Sequence, residues 1–489
     1  MDPLLAVIVS GLAGLSLLPP LASAVLNRRR RREQVAFWRE AAGQAALSGV
    51  EVSADSLTGS TASFLVRLSN YGAAEFCGTR LEITSPRLAP GLTLRPEGPA
   101  TVFDRDLRDL RSLRDLKEIE IGDEDFDKQV SVQGPPALAL ALLDVDTRRT
   151  IRTMLRGRLE VRGHRPLWAS GRLEDGALRV DLPERSVVAR HHGEPEQAGD
   201  AYLDGEYQLP RVLRAAIDLA TRLVAPEDLA RRIADNQAGE PEPRVRLQAL
   251  LTLLREFPEH AATREAVLAG REDPDAEVRV RAGIALGADG RDVLLGVAGG
   301  EGADDGTSAR AVEALGRSLT LGRTAELLKN ALRTERLATA KVCLGILGLH
   351  AGAEAAGVLA KVLLVEKGEL AEAAAHALAA TGDPSAEAPL LRALAEGVPG
   401  LRRAAAAALG RVGTPAAVAP LRAAKSRDAA LRGAARQAIA EIHSRLVGAA
   451  PGQLSLVGGE AGRLSLADDE SGRLSLSDAG GAALPGRPR

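Results

Sequence analysis

A pattern of roughly thirty residues recurs from Arg244 to Gly448, and no other feature of the chain constrains its fold as strongly. Each copy opens on a small or aliphatic residue, often followed by Arg. It then passes through an Ala-rich stretch and closes on an aliphatic residue eight positions on. Val245 to Leu253, Val278 to Leu286, Leu370 to Leu378, Leu401 to Leu409 and Leu431 to Ile439 fit it, and weaker copies end at Leu315 and Leu347. The closing residues 253, 286, 315, 347, 378, 409 and 439 lie 29 to 33 apart, the length of two short helices with their turns. One such pair cannot bury its apolar face alone, so the copies must stack and share a core. The expectation is a mainly α protein with a solenoid of about seven helical repeats over 208–448.

Turn residues agree with that reading. Gly287, Gly316, Gly348, Gly382 and Gly410 fall at or just past the first helix of a repeat, where a left-handed cap is expected. Asp273-Pro274 and Asp383-Pro384 mark turns and helix starts, and Ala404 to Ala408 lets helices approach closely. The string Asp273-Pro274-Asp275-Ala276-Glu277-Val278-Arg279, followed by Ala282 and Ala285-Leu286, resembles HEAT repeats of the short bacterial type. The resemblance covers about 200 residues and implies stacked helical hairpins. It implies no single activity, because the family includes scaffolds, bilin lyases and a di-iron hydroxylase. The hydroxylase members carry His-Glu pairs on their inner helices. Here His260, His350, His376 and His443 are followed by Ala, Ala, Ala and Ser, so no metal site, cofactor or catalytic residue is expected in the array.

The N-terminus predicts an anchor. Leu4 to Leu26 is uncharged over 23 residues, and a helix of that length reaches roughly 34 Å, enough for a hydrocarbon core. Arg28, Arg29, Arg30, Arg31 and Arg32 follow it, whereas a signal peptide carries its positive charge ahead of the apolar run. By the positive-inside rule the N-terminus faces out and the later domains are cytoplasmic. Pro19-Pro20 removes two backbone donors and is expected to kink or break this helix. The arginines set topology and meet anionic lipid, and Trp38, on a helix over 32–46, is expected at the membrane exit. The boundaries read as 1–27 anchor, 28–49 juxtamembrane helix, 50–190 an α+β domain, 191–207 linker, 208–448 solenoid and 449–489 tail.

Within the α+β domain, strands are predicted at 63–68, 80–84, 129–133, 158–161, 167–173 and 177–182, and helices at 137–144 and 146–156. Asp175-Gly176 is a hairpin signal between the last two strands. The run Ile121-Gly122-Asp123-Glu124-Asp125-Phe126-Asp127, then Val130, Val132, Gly134, Leu142-Leu143-Asp144 and Arg148-Arg149, is similar to a pattern of uncharacterised membrane-associated bacterial proteins. No activity comes with that likeness. Asp123, Asp125 and Asp127 have the spacing that opens a calcium loop, but Lys128 stands where the turn needs Gly and Gly134 where a bidentate Glu closes the shell. The reading is an acidic turn with Phe126 inward. His191-His192 has no third ligand nearby. Leu107, Leu110, Leu113 and Leu116 suit a short helix laid on a sheet, with its arginines offset by aspartates.

Net charge is −2 and aromatics are 2%, with none after Phe257, so the array lacks a field and stacking platforms for nucleic acid. Cys77 and Cys343 are expected as buried thiols. In the tail, Leu454-Ser455-Leu456, Leu464-Ser465-Leu466 and Leu474-Ser475-Leu476 recur every ten residues among Gly, Ala, Asp, Glu and Ser. Those spacers cannot bury a core, so a disordered tail is expected, its six leucines forming a candidate multivalent docking motif. The function these readings predict is a membrane-anchored scaffold, not an enzyme, that binds protein partners. The alternative is a ligand-binding enzyme or subunit of the bilin-lyase-like class.

Overall fold

A computed structural model describes residues 32, 35–36, 38–53, 56–71, 78–96, 118–155, 158–159, 167–168, 170–174, 176–183, 205–424, 428–445, 454–456 and 464–466. Residues 1–31, the leucines at 107 to 116, Cys77, His191-His192 and Leu474 to Leu476 lie outside them, so the anchor, Arg28 to Arg31 and the third tail copy do too. Among the described residues no helix is long and apolar enough to cross a membrane. The chain is mainly helical with one sheet near its N-terminus, and it divides into two compact units, Met1–Asp273 and Pro274–Arg489.

The first unit is built on an eight-stranded antiparallel sheet. Its strands are β1 (Ser48–Val52), β2 (Ser56–Ser60), β3 (Leu65–Tyr71), β4 (Gly78–Thr84), β5 (Thr93–Pro96), β6 (Val130–Gln133), β9 (Ser170–Glu174) and β10 (Ala177–Pro183). Their order is β1-β2-β3-β4-β10-β9-β5-β6, and β7 (Arg158–Leu159) pairs with β8 (Leu167–Trp168) separately. Alternation fixes the register. Leu57, Val66, Leu68, Leu81, Ile83, Leu94, Val132, Leu173, Leu178 and Val180 share the face that is buried, while Arg80 with Asp181 and Arg179 with Glu82 pair across strands on the other.

The helices of this part are α1 (38–44), ahead of the sheet, α2 (Glu124–Asp127), α3 (Pro136–Leu142), α4 (Val145–Leu155) and α5 (Gly205–Arg222); α2 packs on β6 and α4 on β9. Helix α5 packs on β4, β10 and α4, so residues 208–222, read from the sequence as array, belong to the sheet layer. Trp38 lies in the protein interior rather than at a membrane exit. It is 1% exposed, with Ala41 and Ala42 at 0%, and Arg214 donates to Gln44 on the same helix at 3.2 Å. Spacing of three and four turns that face into protein, so the indole meets the core and not lipid. Helices α6 (Leu229–Ala238), α7 (Pro243–Glu256) and α8 (Ala261–Gly270) complete this unit, with α3 packed on α6 and α7.

The second unit is a helical array. Its helices are α9 (Ala276–Leu286), α10 (Arg291–Gly299), α11 (Asp305–Leu315), α12 (Leu321–Arg333), α13 (Leu337–Gly348), α14 (Ala353–Val365), α15 (Glu369–Thr381), α16 (Glu387–Glu396), α17 (Pro399–Val412), α18 (Val418–Ala423) and α19 (Ala429–Ser444). Each odd-numbered helix packs on the next odd-numbered one, and one core cluster runs from Ala276 to Ile442. The seven closing residues of the sequence pattern lie on α7, α9, α11, α13, α15, α17 and α19.

The glycines divide by role. Gly287, Gly316 and Gly382 have positive φ, but of the three only Gly382 forms the left-handed cap; Gly287 and Gly316, at ψ −115° and −128°, lead into a 3-10 turn instead. Gly348 and Gly410 do not have positive φ: a Cβ on Gly348 would lie 2.8 Å from the Ala377 carbonyl oxygen, and one on Gly410 would lie 3.0 Å from Ala438 Cα. These two are needed because neighbouring odd-numbered helices touch backbone to backbone. Two of the three tail copies are among the described residues. Leu454–Leu456 (β11) and Leu464–Leu466 (β12) pair antiparallel, Leu opposite Leu and Ser opposite Ser, because the palindromic Leu-Ser-Leu unit is its own partner in that register.

Candidate functional site

The acidic motif folds into a clasp around one arginine. Asp123 caps α2 by accepting from Phe126 N at 3.1 Å, and its second oxygen accepts from Arg148 Nε at 2.9 Å. The guanidinium also donates to both oxygens of Glu240 and to the Leu143 carbonyl, each at 2.9 Å. Arg148 is 1% exposed and Glu240 6%, so the pair sits where an uncompensated charge is costly. Burial pulls the Arg148 pKa down, but Glu240 and Asp123 outweigh it and hold the group above its ordinary value.

Several other positions of the motif are used nearby, whereas Glu124, Asp125 and Arg149 are exposed. Gly122, at φ +101°, allows the loop to lie against the first turn of α7, where a Cβ would be 2.8 Å from the Arg244 carbonyl carbon. Asp127 folds back on its own loop, accepting from Ile121 N at 3.1 Å and Gly122 N at 2.8 Å, and burial pushes its carboxyl up. Phe126 and Ile121 are fully buried. Asp144 caps α4 through Thr147 N and accepts from Arg232 on α6 at 2.9 Å, while Asn236 donates to the Leu140 and Ala141 carbonyls at the end of α3. Asp123, Asp127 and Asp144 are thus spent on protein donors, and among the described residues no group of His, Cys, Asp or Glu is placed to hold a metal ion. The clasp fixes α6 and α7 against β6, α3 and α4. Its chemistry is positional.

The array carries a second polar device along its odd-numbered helices. Glu277 pairs with Arg310, Lys341 with Glu369, and Arg403 with Asp428, each pair joining successive helices. Arg336, at the N-cap of α13, makes no side-chain cap bond. Asp305 on α11 does it instead, accepting from Ala338 N at 2.7 Å, Thr339 N at 2.9 Å and Thr339 Oγ1 at 2.8 Å. Burial pushes its carboxyl up, but these bonds outweigh that and hold it below the ordinary aspartate value. A depressed carboxyl adds stability above its unfolded pKa and loses it as pH falls through the folded one. Asp305→Ala is therefore expected to cost about 1 kcal/mol at neutral pH. Urea titrations should show that gap closing below the normal aspartate range; a gap that persists at pH 2 would refute the assignment.

Of the residues singled out from sequence, Arg32 is exposed and Trp38 buried, while Leu454, Leu456, Leu464 and Leu466 are brought together in the β11–β12 ladder. The histidines stand apart. His260 caps α8 by accepting from Ala262 N at 3.2 Å, His376 is exposed, and Nε2 of His350 and of His443 is buried with no hydrogen-bond partner among the described residues. Cys343 is a free buried thiol whose pKa burial pushes up to about 12, which leaves it unreactive near neutrality. Glu240 carried no sequence signal, since its partner lies 92 residues away.

Residues 358–440 match the family model of HEAT repeats, so this part of the array is a HEAT-like domain. No curated protein matches the chain. Among solved structures, human deoxyhypusine hydroxylase in complex with glycerol is similar at 18% identity, covering 44% of this chain and 98% of that one with a TM-score of 0.20. At that score nothing of the hydroxylase's chemistry transfers.

Proposed function

We propose that the chain is a membrane-anchored scaffold whose HEAT-like array presents binding surfaces to protein partners. The observation that carries this reading is the single core cluster from Ala276 to Ile442, shared by successive helices. A core spent on stacking leaves the exposed sides of the helices as a long surface, and long surfaces suit proteins. Anchoring rests on the uncharged run Leu4 to Leu26 with Arg28 to Arg32 behind it, and the same asymmetry puts the later domains in the cytoplasm. The Leu-Ser-Leu copies act as linked docking motifs, because the strand pair that the first two form leaves its outer edges open to a further strand.

The test is an affinity capture from detergent-solubilised membranes with the full chain and with Leu456, Leu466 and Leu476 all changed to Ser. A defined set of proteins is expected with the parent, and weaker recovery with the variant. Equal recovery would remove the tail from recognition, and no reproducible partner in either would remove the scaffold reading. Release of the intact chain by alkaline wash would remove the anchor.

A further inference from the structure

A cleft lies at one end of the first unit's sheet. It holds about 830 Å³ and opens to solvent between the β2–β3 turn, the end of β4 and the loop that leads to β5. Register makes it one surface: Ser60 on β2, Leu65 on β3 and Thr84 on β4 are direct cross-strand neighbours, so their side chains share the face opposite the sheet's core. Among the described residues no charged side chain lines the cleft, and its aromatic ring, Phe64, is buried. Leu65, 55% exposed, and the exposed Pro86 and Pro90 supply its apolar contacts.

Its hydroxyls are set to donate. Thr61 Oγ1 already accepts from Ser63 N at 3.4 Å and Phe64 N at 3.1 Å, and Ser85 Oγ accepts from Arg87 N at 3.4 Å. With those lone pairs taken, the proton of each hydroxyl remains for a ligand. The Ser63 and Thr84 hydroxyls have no hydrogen-bond partner among the described residues. The loop behind them is strained. Ala89 is fully buried at φ +39°, which a residue other than glycine, and one ahead of proline, adopts only with support. Ala89 N donates to Leu223 O at 2.9 Å and Ala225 N to Arg87 O at 3.0 Å, so the segment after α5 holds this wall in place. Strain that the surrounding structure maintains gathers at ligand clamps.

We propose that this cleft binds an uncharged, aliphatic peptide segment of a protein partner, its hydroxyls donating to main-chain carbonyls. The proposal extends the scaffold reading to the first unit, and it rests on that reading for the partner being a protein. Donors in an uncharged setting match carbonyl oxygens, which every residue of a peptide carries. A phosphate or carboxylate would find no cation lining the cleft, and a base would find no exposed ring to stack on.

Fluorescence anisotropy on the detergent-purified full chain tests it, with a labelled, end-blocked peptide of repeated Ala-Leu-Ser as probe and empty micelles as blank. Binding is expected to change little with salt, since no charge is paired. Ser63→Ala combined with Thr84→Val should weaken it about five- to thirtyfold, the loss of two neutral hydrogen bonds, and Leu65→Glu should abolish it. None of the three side chains is in the core, so unfolding midpoints should stay with the parent and separate lost contact from lost fold. Hydrogen exchange should place the protected amides within 60–65 and 84–91. No peptide binding, parent-like binding by both variants, or protection elsewhere would overturn the proposal. So would tighter binding of a disaccharide or of phosphatidylglycerol vesicles that is lost in the same variants. Peptide binding with no captured partner would count against the scaffold and not against the cleft. A captured partner that ignores these substitutions would do the reverse.

Discussion

Arg148→Leu is expected to destabilise the first unit by about 3–5 kcal/mol, because it leaves Glu240 as a buried carboxylate, and Asp123 as a half-buried one, without this cation. Arg148→Lys keeps the charge but cannot reach both Glu240 oxygens and the Leu143 carbonyl together, so it should fall between variant and parent. Removing the anions as well, with Arg148→Leu, Glu240→Leu and Asp123→Asn combined, should recover much of the loss, since buried charge is costly chiefly when unpaired. Denaturant unfolding of the full chain, followed by hydrogen exchange over residues 118–155 and 229–256, reads all three. Parent-like protection in Arg148→Leu would show that the clasp does not hold these segments together.

Leu409→Asp should have a comparable effect in the array. Leu409 is fully buried on α17, among Ala405, Ala406 and Ala408, within the shared core. A carboxylate there has no partner, and the cost is several kcal/mol. Leu409→Ala removes only packing and should cost about 2–5 kcal/mol. Because stacked repeats are stabilised by their neighbours, damage at one interface should split or broaden the unfolding transition of the array. A sharp, parent-like transition in Leu409→Asp would mean that this position does not face the next repeat.

Much of this architecture is legible in sequence because its signals are local. Aliphatic residues at helical spacing, Asp at helix starts and the Asp-Gly hairpin all act within a few residues, and they lead to the array and to β9 and β10. β1 and β2 escape because both are short: Ser56–Ser60 has Leu57 as its one aliphatic residue among Ser, Thr and Gly, and the valines of the edge strand Ser48–Val52 are not buried. Sequence does not place Trp38, because an aromatic beside an apolar N-terminal run and an aromatic in a core obey the same helical spacing. The clasp was half visible. Its acidic motif stands out, but Glu240 is defined only by the fold that brings it to Arg148. For Gly348 and Gly410 the sequence offers glycine without saying whether it serves a turn or a close approach.

The capping of α13 by Asp305 bears on how such an array can change its length. A repeat that closes its own helix ends can be duplicated or lost as a cassette. Here the start of α13 depends on a carboxylate one repeat earlier, on α11, and the ion pairs of Lys341 with Glu369 and of Arg403 with Asp428 likewise join one repeat to the next. Excising the repeat that begins at Asp305 would leave its successor with free amides at its first turn. Register must therefore be inherited along with the repeats, and recombination that respects helix boundaries alone would join ends that do not match.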